Sequence, residues 1–169
     1  FSQRRVEPFA GVHLSMDAEG YFVGPSFMVG TDYLLPGKLS ISGYLHSFWD
    51  RRYTNFPDGS VNKEQYQSYI LAFLFQGHLS RSIEKGVYIA GGAALQWTID
   101  DYIIHNVSGS DRRTMRVAAM RVGYKFPVKH HAVAVELNAV GPHIEVNEVS
   151  NNRSVEILTQ LSLGSRFIF

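Results

Sequence analysis

Apolar and polar residues alternate along most of this chain, in runs of roughly ten to fifteen residues that each end on a turn signal. The runs fall at approximately 6–16, 21–35, 38–50, 65–77, 86–100, 113–126, 131–141 and 153–169. A period of two places successive side chains on opposite faces of a strand. In the third run Leu39, Ile41, Gly43, Leu45, Ser47 and Trp49 oppose Lys38, Ser40, Ser42, Tyr44, His46, Phe48 and Asp50. In the seventh, Val133, Val135, Leu137 and Ala139 oppose Ala132, Ala134, Glu136 and Asn138. In the last, Val155, Ile157, Thr159, Leu161, Leu163, Phe167 and Phe169 oppose Glu156, Leu158, Gln160, Ser162, Gly164 and Arg166. The pattern predicts an all-β chain of eight antiparallel strands forming one domain over 1–169.

The connections alternate in length. Leu35 to Lys38 and Phe126 to His130 read as tight turns, and Gly77 to Lys85 as a connection of moderate length. Arg51 to Glu64, Asp101 to Arg112 and Pro142 to Asn152 read as long polar loops, while Asp17 to Gly20 is short. Up-and-down barrels of the outer membrane have short turns on the periplasmic side, where both termini lie, and longer loops outside. The parity fits that plan.

Alternation alone does not say which face is inside. A soluble barrel buries its apolar face, whereas a membrane barrel turns it towards lipid and keeps a polar lumen. Three features favour the second arrangement. The polar face is rich in small residues (Ser40, Ser42, Ala90, Gly92, Ala94, Gly164) that suit a narrow eight-strand lumen. Aromatics gather at the run ends as two bands: Phe48, Trp49, Tyr66, Tyr69, Trp97 and Tyr102 towards the long loops, and Tyr33, Phe75, Tyr88, Tyr124, Phe126 and Phe169 towards the short turns. The runs also match the roughly nine to eleven residues a tilted membrane strand needs. The fold expected is an eight-stranded antiparallel up-and-down transmembrane β-barrel.

Composition narrows the function classes. Lysine and arginine total 16 against 15 acidic residues, so nothing points to nucleic acid. Cysteine is absent, which removes disulfides, thiolate metal sites and a cysteine nucleophile. No stretch approaches the roughly 18 consecutive apolar residues of a membrane helix. The chain starts at Phe1 rather than Met, which predicts that a leader has been removed.

The segment Ser162-Leu163-Gly164-Ser165-Arg166-Phe167-Ile168-Phe169 resembles the terminal insertion signal of bacterial outer-membrane proteins, with Gly164, Phe167 and Phe169 at its defined positions. The chain as a whole is similar in architecture to the small eight-stranded outer-membrane proteins of the OmpX/OmpA transmembrane type. The resemblance implies a Gram-negative outer membrane as location, with recognition by the barrel-assembly machinery. Its physical basis is that the last strand stays an open edge, ready for strand addition, until it pairs with the first.

Arg121, Lys125, Glu136, Glu156 and Arg166 fall on the expected lumen face, with Glu7, His13, Asp32, Lys38 and His46 as further candidates. Buried charges must be paired to be tolerable, so these residues predict a salt-bridged plug, with Arg121 and Glu136 the leading pair. No three ligands stand at a metal-site spacing, and neither a cofactor nor a metal is expected; His130 with His131 and His143 with Glu145 are the nearest approaches. No G-x-S-x-G element is present, and His46 and Ser47, adjacent in one strand, face opposite sides. The function expected is a non-enzymatic envelope protein with a structural or surface-interaction role. It would be in contact with outer-membrane lipid, and its long loops (Arg51, Arg52, Tyr53, Phe56, Arg112 and Arg113) would be open to an extracellular partner. The alternatives are an outer-membrane lipid-modifying enzyme and a soluble lipocalin-like ligand-binding barrel.

Overall fold

A computed structural model describes residues 6–17, 22–56, 59–80, 85–104, 107–147, 152–156 and 159–169, with backbone alone between 143 and 156. The strands are β1 (Val6–Asp17), β2 (Val23–Leu34), β3 (Leu39–Asn55), β4 (Val61–His78), β5 (Gly86–Ile104), β6 (Val107–Val128), β7 (His131–Val140), β8 (His143–Asn147), β9 (Asn152–Glu156) and β10 (Gln160–Ile168). Eight of them close a barrel in the order β1-β10-β7-β6-β5-β4-β3-β2, and β8 with β9 makes a separate hairpin. Every neighbouring pair in the wall is antiparallel, and the seam is the ladder from Phe9↔Ile168 to Asp17↔Gln160. Closure leaves no free edge in the wall, which a spanning sheet requires because lipid offers the backbone no hydrogen bonds.

The two faces are inverted relative to a soluble barrel. Leu14, Phe73 and Phe75 stand 60–71 % exposed on the outside, whereas Arg166 is 0 % and Arg121 and Glu136 are 1 % exposed inside. Such an exterior would be a liability in water and is the expected surface in lipid. Outward aromatics include Trp49 and Tyr69 near one end, and Tyr33, Phe75, Phe126 and Phe169 near the other. Phe48 and Tyr88 leave the expected bands: both are 0 % exposed, because their place in the alternation points them into the lumen.

The long connections also differ from expectation. β3 and β4 remain paired as far as Asn55↔Val61, and β5 and β6 as far as Ile104↔Val107. β4 and β5 pair up to Lys63↔Ile103, so the two hairpins merge into one four-stranded sheet rising above the wall. These segments lose the apolar alternation because both their faces meet water. The backbone ladder needs no apolar side chains to continue. At the first tip, Phe56 N–H donates to Ser60 O and Gly59 N–H to Phe56 O, with Gly59 at φ +81°. The last run is split, its first part pairing with β8 as Glu156↔His143 rather than joining the wall.

Candidate functional site

The lumen is organised around one carboxylate. Glu136 comes from β7, and four other strands bring groups to it. Arg166 of β10 places Nε 2.8 Å from Oε2, an ion pair without the alignment of a hydrogen bond. Tyr88 of β5 donates its hydroxyl to the same oxygen at 2.6 Å. On the other oxygen, His13 Nε2 lies at 3.2 Å and Arg121 Nε of β6 at 3.6 Å. Asn138, two residues along β7 on the same face, donates to that oxygen at 3.4 Å. A carboxylate with this many donors can remain charged out of bulk water, since each lone pair keeps a partner.

The two arginines reach across the barrel. Arg121 donates from Nε to Asn138 Oδ1 at 2.8 Å and from Nη1 to Ser42 Oγ on β3 at 3.2 Å. Its Nη2 reaches Met28 Sδ on β2, the strand diametrically opposite β6 in the closed order. Arg166 donates from Nη1 to Asp32 Oδ2 at 3.0 Å and from Nη2 to Gln76 Oε1 at 3.5 Å. Gln76 lies on β4, opposite β10. The guanidinium planes also stack on aromatic rings, Arg166 4.4 Å above Phe9 and Arg121 4.5 Å above Tyr44. Such stacking suits a weakly hydrated, planar cation.

Smaller groups fill the lumen on either side of this layer. Towards the short turns, Lys125 donates to Glu7 Oε2 at 2.7 Å, and Gln76 shares a hydrogen bond with His78 at 3.0 Å. Towards the long hairpins, Ser68 donates to Gln160, Gln96 to Ser68, and Thr159 to Gln96, at 2.7–3.0 Å. Above these, Phe22 stacks on Tyr66 at 4.9 Å and Phe48 tilts against the same ring at 5.7 Å. Arg52 lies 4.7 Å over Phe22. Still higher, outside the span, burial and then Glu64, Asp111 and Asp101 push the Asp100 carboxyl above its ordinary pKa.

The structure thus places four of the five charged residues singled out in the sequence in the lumen: Arg121, Glu136 and Arg166 meet in one layer, and Lys125 pairs with Glu7 nearer the short turns. The fifth, Glu156, has its backbone on the β8–β9 hairpin, and its side chain lies outside the described residues. Arg121 stands directly across from Asn138 and only diagonally from Glu136, so the closer cation to Glu136 is Arg166. Glu7, His13, Asp32 and His46 also point inward, while Lys38 is exposed at the turn between β2 and β3. Sequence reasoning passed over Tyr88 and Gln76 as partners, because which inward residues meet across a barrel depends on strand stagger.

His46 faces the lumen and Ser47 the outside, so they do not form a catalytic pair. His105 lies outside the described residues, as do the side chains of His143 and Glu145. Among the described residues no three histidines or carboxylates group as metal ligands.

The terminal motif divides between the two faces. Phe167 and Phe169 are 55 % and 52 % exposed on the outer wall. Gly164 sits at the seam, where an added Cβ would collide with the Val12 carbonyl oxygen and His13 Cα, both backbone atoms. Gly164→Ala is expected to weaken closure of β1 on β10 by about 1–3 kcal/mol, the usual cost of overpacking. Urea titration of the heat-modifiable folded band on a gel would measure it. An unchanged midpoint would show that the seam can relax.

No protein-family model matches the chain, and no curated protein matches it in sequence. Its fold is that of solved eight-stranded outer-membrane barrels. The attachment invasion locus protein Ail of Yersinia pestis superposes with a TM-score of 0.55 at 12 % identity, covering 97 % of each chain. Neisserial surface protein A gives 0.54 at 13 % identity, covering 96 % of this chain and 94 % of that one. The N-terminal barrel domain of Pseudomonas aeruginosa OprF gives 0.52 at 11 % identity over 98 % of each chain.

Proposed function

We propose that this protein is an integral protein of the bacterial outer membrane with a structural or surface-interaction role, its lumen closed by the charged plug and its termini periplasmic. The observation that carries the closed lumen is the crossing of the barrel by Arg121 and Arg166, each tied to strands on the far side. Eight strands leave an interior that side chains can fill. The polar four-stranded projection supplies the surface for an extracellular partner. Ail has been solved with the heparin analogue sucrose octasulfate, and a polyanionic sugar is one class of ligand for the arginines of the projection here. Gly164, Phe167 and Phe169 serve as the address read by the barrel-assembly machinery, presented on the strand that closes the seam last.

Planar-bilayer recording tests the plug. The protein as it stands is expected to give no stepwise conductance. Arg121→Ser with Arg166→Ser, which removes both crossing side chains, is expected to give ion-conducting steps. Steady conductance from the unaltered protein would overturn the closed lumen and favour transport.

A further inference from the structure

Between the aromatic bands the outward wall is uncharged among the described residues, with one exception. Below the long hairpins, among the described residues, Arg116 is the only charged side chain on the face turned to lipid. It is exposed, and its ladder partner is Leu95. None of the described carboxylates pairs with it. A lone cation on a lipid-facing wall is unfavourable unless it reaches the interface or meets an anion.

Arg116 reaches the interface. Thr114, two residues along the same face, is paired with Trp97, so Arg116 is a diagonal neighbour of an indole in the upper aromatic band. It also closes the upper end of an apolar recess of about 370 Å³ lined by Leu71, Phe73, Ala93 and Leu95. The recess exists because small residues are adjacent there. Ala93 pairs with Phe73 on one side and Ala118 on the other, and Gly91, the next outward position, has open space where a side chain would stand. The walls are Phe73 and Leu95, and the cation sits at the interfacial end.

We propose that this recess over β4, β5 and β6 is a specific site for a phosphate-bearing lipid of the leaflet on the long-hairpin side. One acyl chain lies along Ala93 and Gly91 against Phe73, and the headgroup phosphate is held by Arg116. The charge complementarity argues for an anionic lipid. A zwitterionic lipid would leave the arginine paired with a phosphate whose own charge is already balanced. The site rests on the reading of the chain as a membrane barrel and goes beyond it by naming which lipid is selected and where.

Trp49 and Trp97 are the two tryptophans of the chain, which supplies a local reporter. In a Trp49→Phe background, the whole protein is refolded into phosphatidylcholine vesicles. These contain an equal minor fraction of either dibromo-acyl phosphatidylglycerol or dibromo-acyl phosphatidylcholine. The expected result is that the brominated anionic lipid quenches Trp97 several-fold more strongly than the brominated zwitterionic one. Arg116→Gln and the recess-filling Ala93→Phe are expected to abolish that preference, with Arg116→Lys and Arg112→Gln retaining it. All three positions face outward, and the heat-modifiable band verifies that each variant is folded. Equal quenching by both lipids, or a preference that survives Arg116→Gln, overturns the site. A preference lost equally in Arg112→Gln also overturns it, by showing general attraction to a basic rim. Absence of quenching by either lipid overturns the membrane reading itself, and the site with it.

Discussion

Glu136→Gln is expected to destabilise the barrel by about 3–5 kcal/mol, the usual cost of removing one partner from a buried ion pair. The substitution keeps the shape and removes one charge. Among the described lumen residues, Arg121, Lys125 and Arg166 are balanced by Glu7, Asp32 and Glu136. Without Glu136, Arg121 has no carboxylate partner and Arg166 has only Asp32. Tyr88 would then donate to an amide rather than a carboxylate, a weaker acceptor. Adding Arg121→Met to Glu136→Gln is expected to recover part of the loss, because the second change removes the charge the first left without a carboxylate, while Arg166 keeps Asp32 and Lys125 keeps Glu7. Urea unfolding in lipid vesicles, followed by tryptophan emission, would give both values. A cost below about 1 kcal/mol, the level of a solvated pair, would mean that water screens the layer. The closed lumen would then fall with it.

The second large effect concerns the outside. Leu45 is 46 % exposed near the middle of the outward face of β3, with Val29 and Leu71 as its ladder neighbours. Leu45→Arg is expected to cost about 2–4 kcal/mol, the penalty for a cation near the bilayer midplane on a barrel's lipid face. On a soluble protein the same change at so exposed a position would fall within about 0.5 kcal/mol. The same vesicle titration decides between them, and a near-neutral result would contradict insertion of this face into lipid. Arg116 is the natural counterpart, a cation tolerated outside because it lies at the level of the aromatic band.

The difference between these two sites illustrates what could be read without coordinates. Parity separated the two sets, since a strand offers only two faces, and the small residues of the polar face, the aromatic bands and the run length said which set points inward. The identification of Arg121, Lys125, Glu136 and Arg166 as inward charges needed nothing more. The polar stretches Arg51 to Glu64 and Asp101 to Arg112 were not legible as strands, because alternation reports burial on one face and these hairpins are wet on both. Phe48 and Tyr88 were placed in the girdles by their distance along the run, whereas parity, applied to those same residues, sends them inward.

By itself, then, the sequence determined a closed eight-strand plan, which face of each strand is apolar, and which charges must be hidden from lipid. These are local properties, carried by a two-residue period and by turn residues. The tertiary structure alone decided who meets whom. Arg166 rather than Arg121 is the close partner of Glu136, Gln76 and Met28 receive guanidinium groups from across the barrel, and Arg116 closes a recess built on three strands. Those meetings depend on stagger and tilt around a closed ring, which the pairing of strands establishes and no single strand encodes.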